Sequence, residues 1–171
     1  VTNTFTVDKA TATVSLTNLI QVFTGQPRLV GVLTDPPDLA VRFTYDGATN
    51  APIHIGAYEV IGQIEEPLWQ GGATGVLVIL QADQTIAFPA IGNQIASATL
   101  GLAATASSGL PVTFAVDDGP AVLADGTNLS FTGAGTVAIV AFQSGNMDWS
   151  SAPPVTNTFT VDKATATVSL T

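Results

Sequence analysis

The chain contains no cysteine. Disulfides, thiol chemistry and Cys-ligated metals are therefore excluded. It has a single histidine, His54, so a transition-metal site or a Ser-His-Asp triad lacks partners. Charge is scarce: 10% of residues carry one, against about a quarter in ordinary globular chains. Basic residues are scarcest, with 4 Lys and Arg against 13 Asp and Glu and a net charge of −9. Binding to nucleic acid or insertion at an anionic membrane needs a Lys/Arg patch, and none can be assembled here. No apolar run is long enough to span a bilayer. Helical periodicity is almost absent.

What remains is rich in Thr, Ala, Val, Gly and Ser. At 46% hydrophobic, the chain can build real cores and is not expected to be disordered. Alternating runs recur: 12–16, 39–45, 58–64 and 75–79, then 99–104, 112–116, 129–131, 136–141 and 158–161. Period-two alternation in β-branched residues predicts half-buried strands. Turn signals separate them at Asp35-Pro36-Pro37, Asp46-Gly47, Ser108-Gly109, Asp117-Asp118-Gly119-Pro120, Asp125-Gly126 and Ser144-Gly145-Asn146. Strands at this spacing without helices predict an all-β chain of two β-sandwich domains in tandem, set end to end.

The most informative feature is a duplication. Residues 1–17, VTNTFTVDKATATVSLT, recur letter for letter as residues 155–171. The chain thus reads as one full period of a tandem array plus the start of the next. Seams fall near Leu80-Gln81-Ala82-Asp83 and at Asp8-Lys9-Ala10 with its copy Asp162-Lys163-Ala164. The expected organisation follows. Residues 1–9 are the last strand of a preceding domain and copy 155–163. Residues 10–81 and 82–163 are the two domains. Residues 164–171 are the first strand of a further domain and copy 10–17. The seams carry no Gly/Ser tract, so little swing is expected between domains.

The assembly candidates are residues of the duplicated strand, Thr4, Phe5 and Val7, with their copies Thr158, Phe159 and Val161. Such a strand either continues the polymer directly or docks into a neighbouring copy by strand addition. Trp69 and Trp149 each precede the last strand of their domain. Each reads as a plug at a sandwich end, with an exposed ligand-stacking platform as the alternative.

The residues 9–19 and 21–27, KATATVSLTNL and QVFTGQP, resemble the opening of bacterial MBG-type Ig-like repeats. The likeness continues through Phe43–Gly47, Ala51-Pro52, Gly56–Val60 and Gly71–Ile79. The second half resembles another bacterial Ig-like repeat through Gln84–Pro89, Ala104–Val112, Phe131–Val137 and Gly145–Trp149. The resemblance implies large secreted or cell-surface polypeptides of many modules and no catalytic residues. His54 departs from the pattern and reads as a solvated residue.

Other chemistry is thin. The acidic pairs Asp35/Asp38, Glu65/Glu66 and Asp117/Asp118 sit in turns without an Asp-x-Asp-x-Asp loop, so turn chemistry explains them better than calcium. Calcium is nevertheless the one cofactor left open; no other is expected. Two carboxylates in an aromatic cleft would be needed for glycoside hydrolysis, and nothing places such a pair. Lys9 and its copy Lys163 stand beside a seam next to an Asp, which suggests a salt bridge rather than an isopeptide staple. Arg28 and Arg42 read as solvated. The chain is thus expected to be a non-enzymatic repeat of an extracellular fibre, stalk or giant adhesin, partnered by neighbouring copies. A module that recognises glycan or protein through exposed loops is the alternative.

Overall fold

The computed structural model describes residues 2–4 and 6–168. Every described element is a strand, and the chain divides into two compact units, Val1–Ala82 and Asp83–Thr171.

Unit 1 contains β1 (Ala10–Thr11), β2 (Thr13–Thr17), β3 (Ile20–Val22), β4 (Gly31–Asp35), β5 (Val41–Tyr45), β6 (Gly56–Ile64), β7 (Trp69–Gln70) and β8 (Gly72–Leu80). Its main sheet runs β3-β8-β6-β5, with β3 parallel to β8 and the other pairs antiparallel. The opposing layer is made by β2 with β4, and β1 pairs in parallel with β7. Alternation sorts the side chains: Val60, Leu77 and Ile79 point inward and are buried with Val30 and Tyr45. Leu16, Leu19, Phe23 and Phe43 close this core from both layers. Burial of such side chains drives the sandwich together, at about 1.5–3 kcal/mol for each large one.

Unit 2 contains β9 (Ile86–Ala87), β10 (Gln94–Ile95), β11 (Thr99–Gly101), β12 (Thr105–Ala106), β13 (Thr113–Asp118), β14 (Ala121–Ala124), β15 (Asn128–Phe131), β16 (Gly135–Phe142) and β17 (Val155–Asp162). One sheet is ordered β10-β17-β16-β13, a second β11-β15-β14, and β12 pairs with β9. Leu129, Val137, Ile139, Phe159 and Val161 form the heart of its core, with Phe114 and Leu102.

The turn signals act as expected. Asp46 and Gly47 take positive φ of 47° and 81°, and Asp125 and Gly126 take 51° and 73°. Two consecutive left-handed residues form the tight turn that suits the twist of a hairpin. Three readings need correction. The expected strand 99–104 stops at Gly101, because its partner β15 begins at Asn128, just after the Asp125-Gly126 turn, and beyond it only the bond from the Leu102 N–H to the Thr127 carbonyl at 2.8 Å follows. Arg28 is half-buried rather than solvated: one guanidinium nitrogen reaches Thr24 Oγ1 at 3.1 Å while its Nε has no partner. Lys9 Nζ donates to the Glu66 carbonyl oxygen at 2.8 Å, a backbone partner where the sequence suggested a carboxylate.

Candidate functional site

The duplicated segment lies in two environments that are nearly complementary. In the second copy, residues 155–162 form β17, a strand of unit 2 paired along both edges. It runs antiparallel to β16 through seven register pairs, from Val155 opposite Ala141 to Val161 opposite Gly135. Its other edge pairs in parallel with β10, Val161 opposite Gln94 and Asp162 opposite Ile95.

Alternation then divides the strand's work. Phe159 and Val161 point into the core, 4% and 1% exposed, and the Phe159 ring meets Phe131 edge-on with centroids 6.0 Å apart. An edge-to-face pair of this kind adds about 0.5–1.5 kcal/mol beyond area burial. Thr158 and Thr160 face solvent. Side-chain hooks seat the strand: Asn157 Nδ2 donates to the Pro89 carbonyl at 2.9 Å, and the Thr160 N–H donates to Asn93 Oδ1 at 3.2 Å.

In the first copy the described residues do none of this. Residues 2–4 and 6–8 lie in no strand and are exposed. Thr4 is solvated and Val7, the copy of Val161, is 80% exposed. Phe5 lies outside the described residues.

The second half of the segment reverses the pattern. Residues 10–17 supply β1 and β2 of unit 1, where Ala12 is buried and its N–H donates to the Gln70 carbonyl at 2.9 Å. In the other copy, residues 164–168 are exposed outside any strand, and Val168, the copy of Val14, is 88% exposed. Identical sequence with opposite fates means that tertiary context, not strand propensity, selects the structure. Among the described residues, each copy places one half in strands and leaves the other half exposed outside any strand.

The tryptophans fall between the two roles considered for them. Trp69 is half-buried at the start of β7 with Ala10 as its register partner. Trp149 is half-buried in the 143–150 loop, where its N–H donates to Asn146 Oδ1 at 2.9 Å. His54 is exposed, its ring stacked on Phe23 at 6.3 Å.

The acidic residues take turn and loop roles. Asp46 Oδ1 accepts from the Glu59 N–H at 2.7 Å, and Glu66 Oε1 accepts from the Ala40 N–H at 3.2 Å. Among the described residues, no group of three or more His, Cys, Asp or Glu is disposed to hold a metal.

One polar centre was not anticipated. Gln84 is buried, and its Nε2 donates to Gln143 Oε1 and to the Ser150 carbonyl, each at 2.6 Å. Ser108 Oγ donates to Gln84 Oε1 at 2.5 Å. This network ties β9's approach to the loops after β12 and β16. Isolated glutamines give no sequence signal for such a role.

Comparison with known proteins bears on the first half. Residues 12–83 match the family model of the MBG domain, where the opening runs of the chain resemble such repeats. No curated protein matches the sequence. Among solved structures, a surface glycan-binding protein of the Bacteroides ovatus mixed-linkage glucan utilization locus, in complex with a heptasaccharide, is 16% identical. That match covers 85% of this chain and 43% of that one, at a TM-score of 0.31. The first two domains of human mucin-like protocadherin are 11% identical over 90% and 98% of the two chains, at 0.38. A SusE-like, surface-located polysaccharide-binding protein of Bacteroides thetaiotaomicron is 14% identical over 86% and 34%, at 0.33. The chain thus spans less than half the length of either Bacteroides protein. Likenesses this distant carry no functional argument.

Proposed function

We propose that this chain is a structural repeat of an extracellular or cell-surface bacterial fibre, stalk or giant adhesin, giving length and mechanical continuity. The observation that carries this reading is the duplicated segment, whose first half completes one type of unit and whose second half opens the other. A segment with both capacities is a joint. Repeating it at a fixed interval sets unit after unit at uniform spacing. The MBG match over residues 12–83 and the low basic content agree with a module that works outside the cell and away from nucleic acid. Its partners are neighbouring copies of the same repeat.

Electron microscopy of the native material tests this. The expected result is filaments with two beads per axial repeat of about 70–90 Å, from strand lengths of typical size plus turns. Short isolated particles would refute it.

A second reading, an adhesive module, is favoured by the outer face of the unit 1 sheet. Ile20 and Val22 on β3 stand beside Val78 and Leu80 on β8, and Ile20, Val22, Val76 and Leu80 are all exposed. An apolar patch without aromatic rings suits a protein surface better than a sugar. On this reading Ile20→Lys abolishes adhesion to a protein-coated surface while the fold persists by circular dichroism; unchanged adhesion would exclude this face.

A further inference from the structure

We propose that Asp125-Gly126, the turn between β14 and β15, is a site of self-modification, where Asp125 converts to isoaspartate without an enzyme. The inference stands on the surroundings of this one turn and is independent of any assembly.

The sequence holds three Asp-Gly pairs: Asp46-Gly47, Asp118-Gly119 and Asp125-Gly126. Glycine has no side chain to shield its N–H, so each pair is open to one reaction. The Gly nitrogen attacks Cγ of the preceding carboxyl. A Cγ–N bond forms, the carboxyl OH and the amide hydrogen leave as water, and a five-membered succinimide closes. Water then adds to the former main-chain carbonyl and breaks its bond to the Gly nitrogen. The chain now runs through Cβ and Cγ, and the net mass is unchanged.

The fold treats the three pairs differently. At Asp46 both the carboxylate and the turn are held. Its Oδ1 accepts from the Glu59 N–H at 2.7 Å, and its own N–H donates to the Glu59 carbonyl at 2.9 Å. Tyr45 and Ala48 exchange bonds of 2.7 and 2.9 Å across the same turn. Asp118 lies within β13 opposite Ala138, and Gly119 sits so close to the Thr136 carbonyl that a Cβ would strike it. The rotation that brings a Gly nitrogen onto a carboxyl has no room there. Asp125 and Gly126 meet neither restraint. Both are exposed, and a Cβ on Gly126 would find nothing within 4 Å. The turn itself is closed by the bond from the Thr127 N–H to the Ala124 carbonyl, at 3.3 Å. Among the described residues, nothing bonds the Asp125 carboxylate or the Gly126 N–H. β14 is hydrogen-bonded to β15 alone, so the turn opens without breaking a second ladder.

The product changes the hairpin. One extra main-chain atom enters a turn that sets the register of β14 on β15. Leu129 anchors β15 in the core, so β14 is the strand that gives way, beginning with Ala124 opposite Asn128.

The full chain is kept folded in warm neutral buffer for several weeks, beside a sample in concentrated urea. Protein isoaspartate methyltransferase with labelled S-adenosylmethionine measures the product, and electron-transfer fragmentation of proteolytic peptides assigns it. In the folded chain, Asp125 is expected to convert several-fold faster than Asp46 or Asp118. In urea the three rates converge, because only the fold distinguishes them. Asp125→Glu, whose longer side chain would have to close a six-membered ring, removes most of the methyl acceptance of the folded chain. Equal conversion at the three sites in the folded chain would overturn the proposal. So would the same ranking in urea, or undiminished methyl acceptance in Asp125→Glu.

Discussion

Val7 and Val161 are the same residue in the same local sequence, which allows one substitution to be measured against itself. Val161 is 1% exposed in the unit 2 core and Val7 is 80% exposed. Replacing Val161 with Ala removes two carbons from a packed site. Their transfer contributes about 1.6 kcal/mol, at about 0.8 per buried CH2. The cavity left behind raises the loss to about 2–3 kcal/mol. Val7→Ala loses no packed contact and should stay within about 0.5 kcal/mol. Local strand propensity is shared by the two sites, so the difference between the variants isolates tertiary packing. Urea unfolding of the full chain in a Trp69→Phe background makes Trp149 the lone indole, reporting unit 2. With a denaturant slope of about 1 kcal/mol per molar, Val161→Ala lowers the midpoint by about 2 M or more. Equal midpoints for the two variants, or a Val161→Ala loss below about 0.5 kcal/mol, would refute the assignment of residues 155–162 to the core strand.

Gly119 and Gly126 both hold positive φ, 98° and 73°. An Ala at Gly126 meets open space and costs about 1–2 kcal/mol for the left-handed backbone, whereas at Gly119 its Cβ would strike the Thr136 carbonyl, adding about 1–3 kcal/mol of overpacking; thermal unfolding ranks the pair. Gln84→Ala removes the buried bonds to Gln143 Oε1, the Ser150 carbonyl and Ser108 Oγ and should cost about 2 kcal/mol or more, read as a lower unit 2 midpoint by Trp149 fluorescence. Tyr45→Phe removes the hydroxyl that accepts from the Val30 N–H at 3.4 Å and should cost about 1 kcal/mol, confined to the unit 1 transition.

How much of this was legible in the sequence depended on strand length and on which face was buried. β6, β8 and β16 have eight or nine residues each with clean alternation, and their runs were readable directly. β3 and β10 have three and two residues, too short for periodicity, and their partners β8 and β17 lie more than fifty residues away in the chain. β14 is short and follows a turn closely, so it merged with the turn signals around it. The duplicated segment was plain as a repeat. Its divided fate was not, because strand propensity is identical in both copies and only the neighbouring sheet distinguishes them. The Gln84 centre was invisible for a related reason: a buried amide reads like any surface glutamine until its acceptors are in place.

The parallel pairing of β3 with β8 and of β10 with β17 has a consequence under load. In each unit a strand near the beginning lies beside the last strand and runs in the same direction. Tension that pulls the start of a unit one way and its end the other slides these neighbours past each other. Their hydrogen bonds lie across the direction of pull, so they share the strain together rather than opening one at a time. In unit 1 this clamp includes the flanking bonds from Val78 N–H to the Leu19 carbonyl and from Phe23 N–H to the Leu80 carbonyl, 2.8 and 2.9 Å. Unit 2 has fewer register pairs on that edge, two against three, so it is expected to yield first when the chain is stretched.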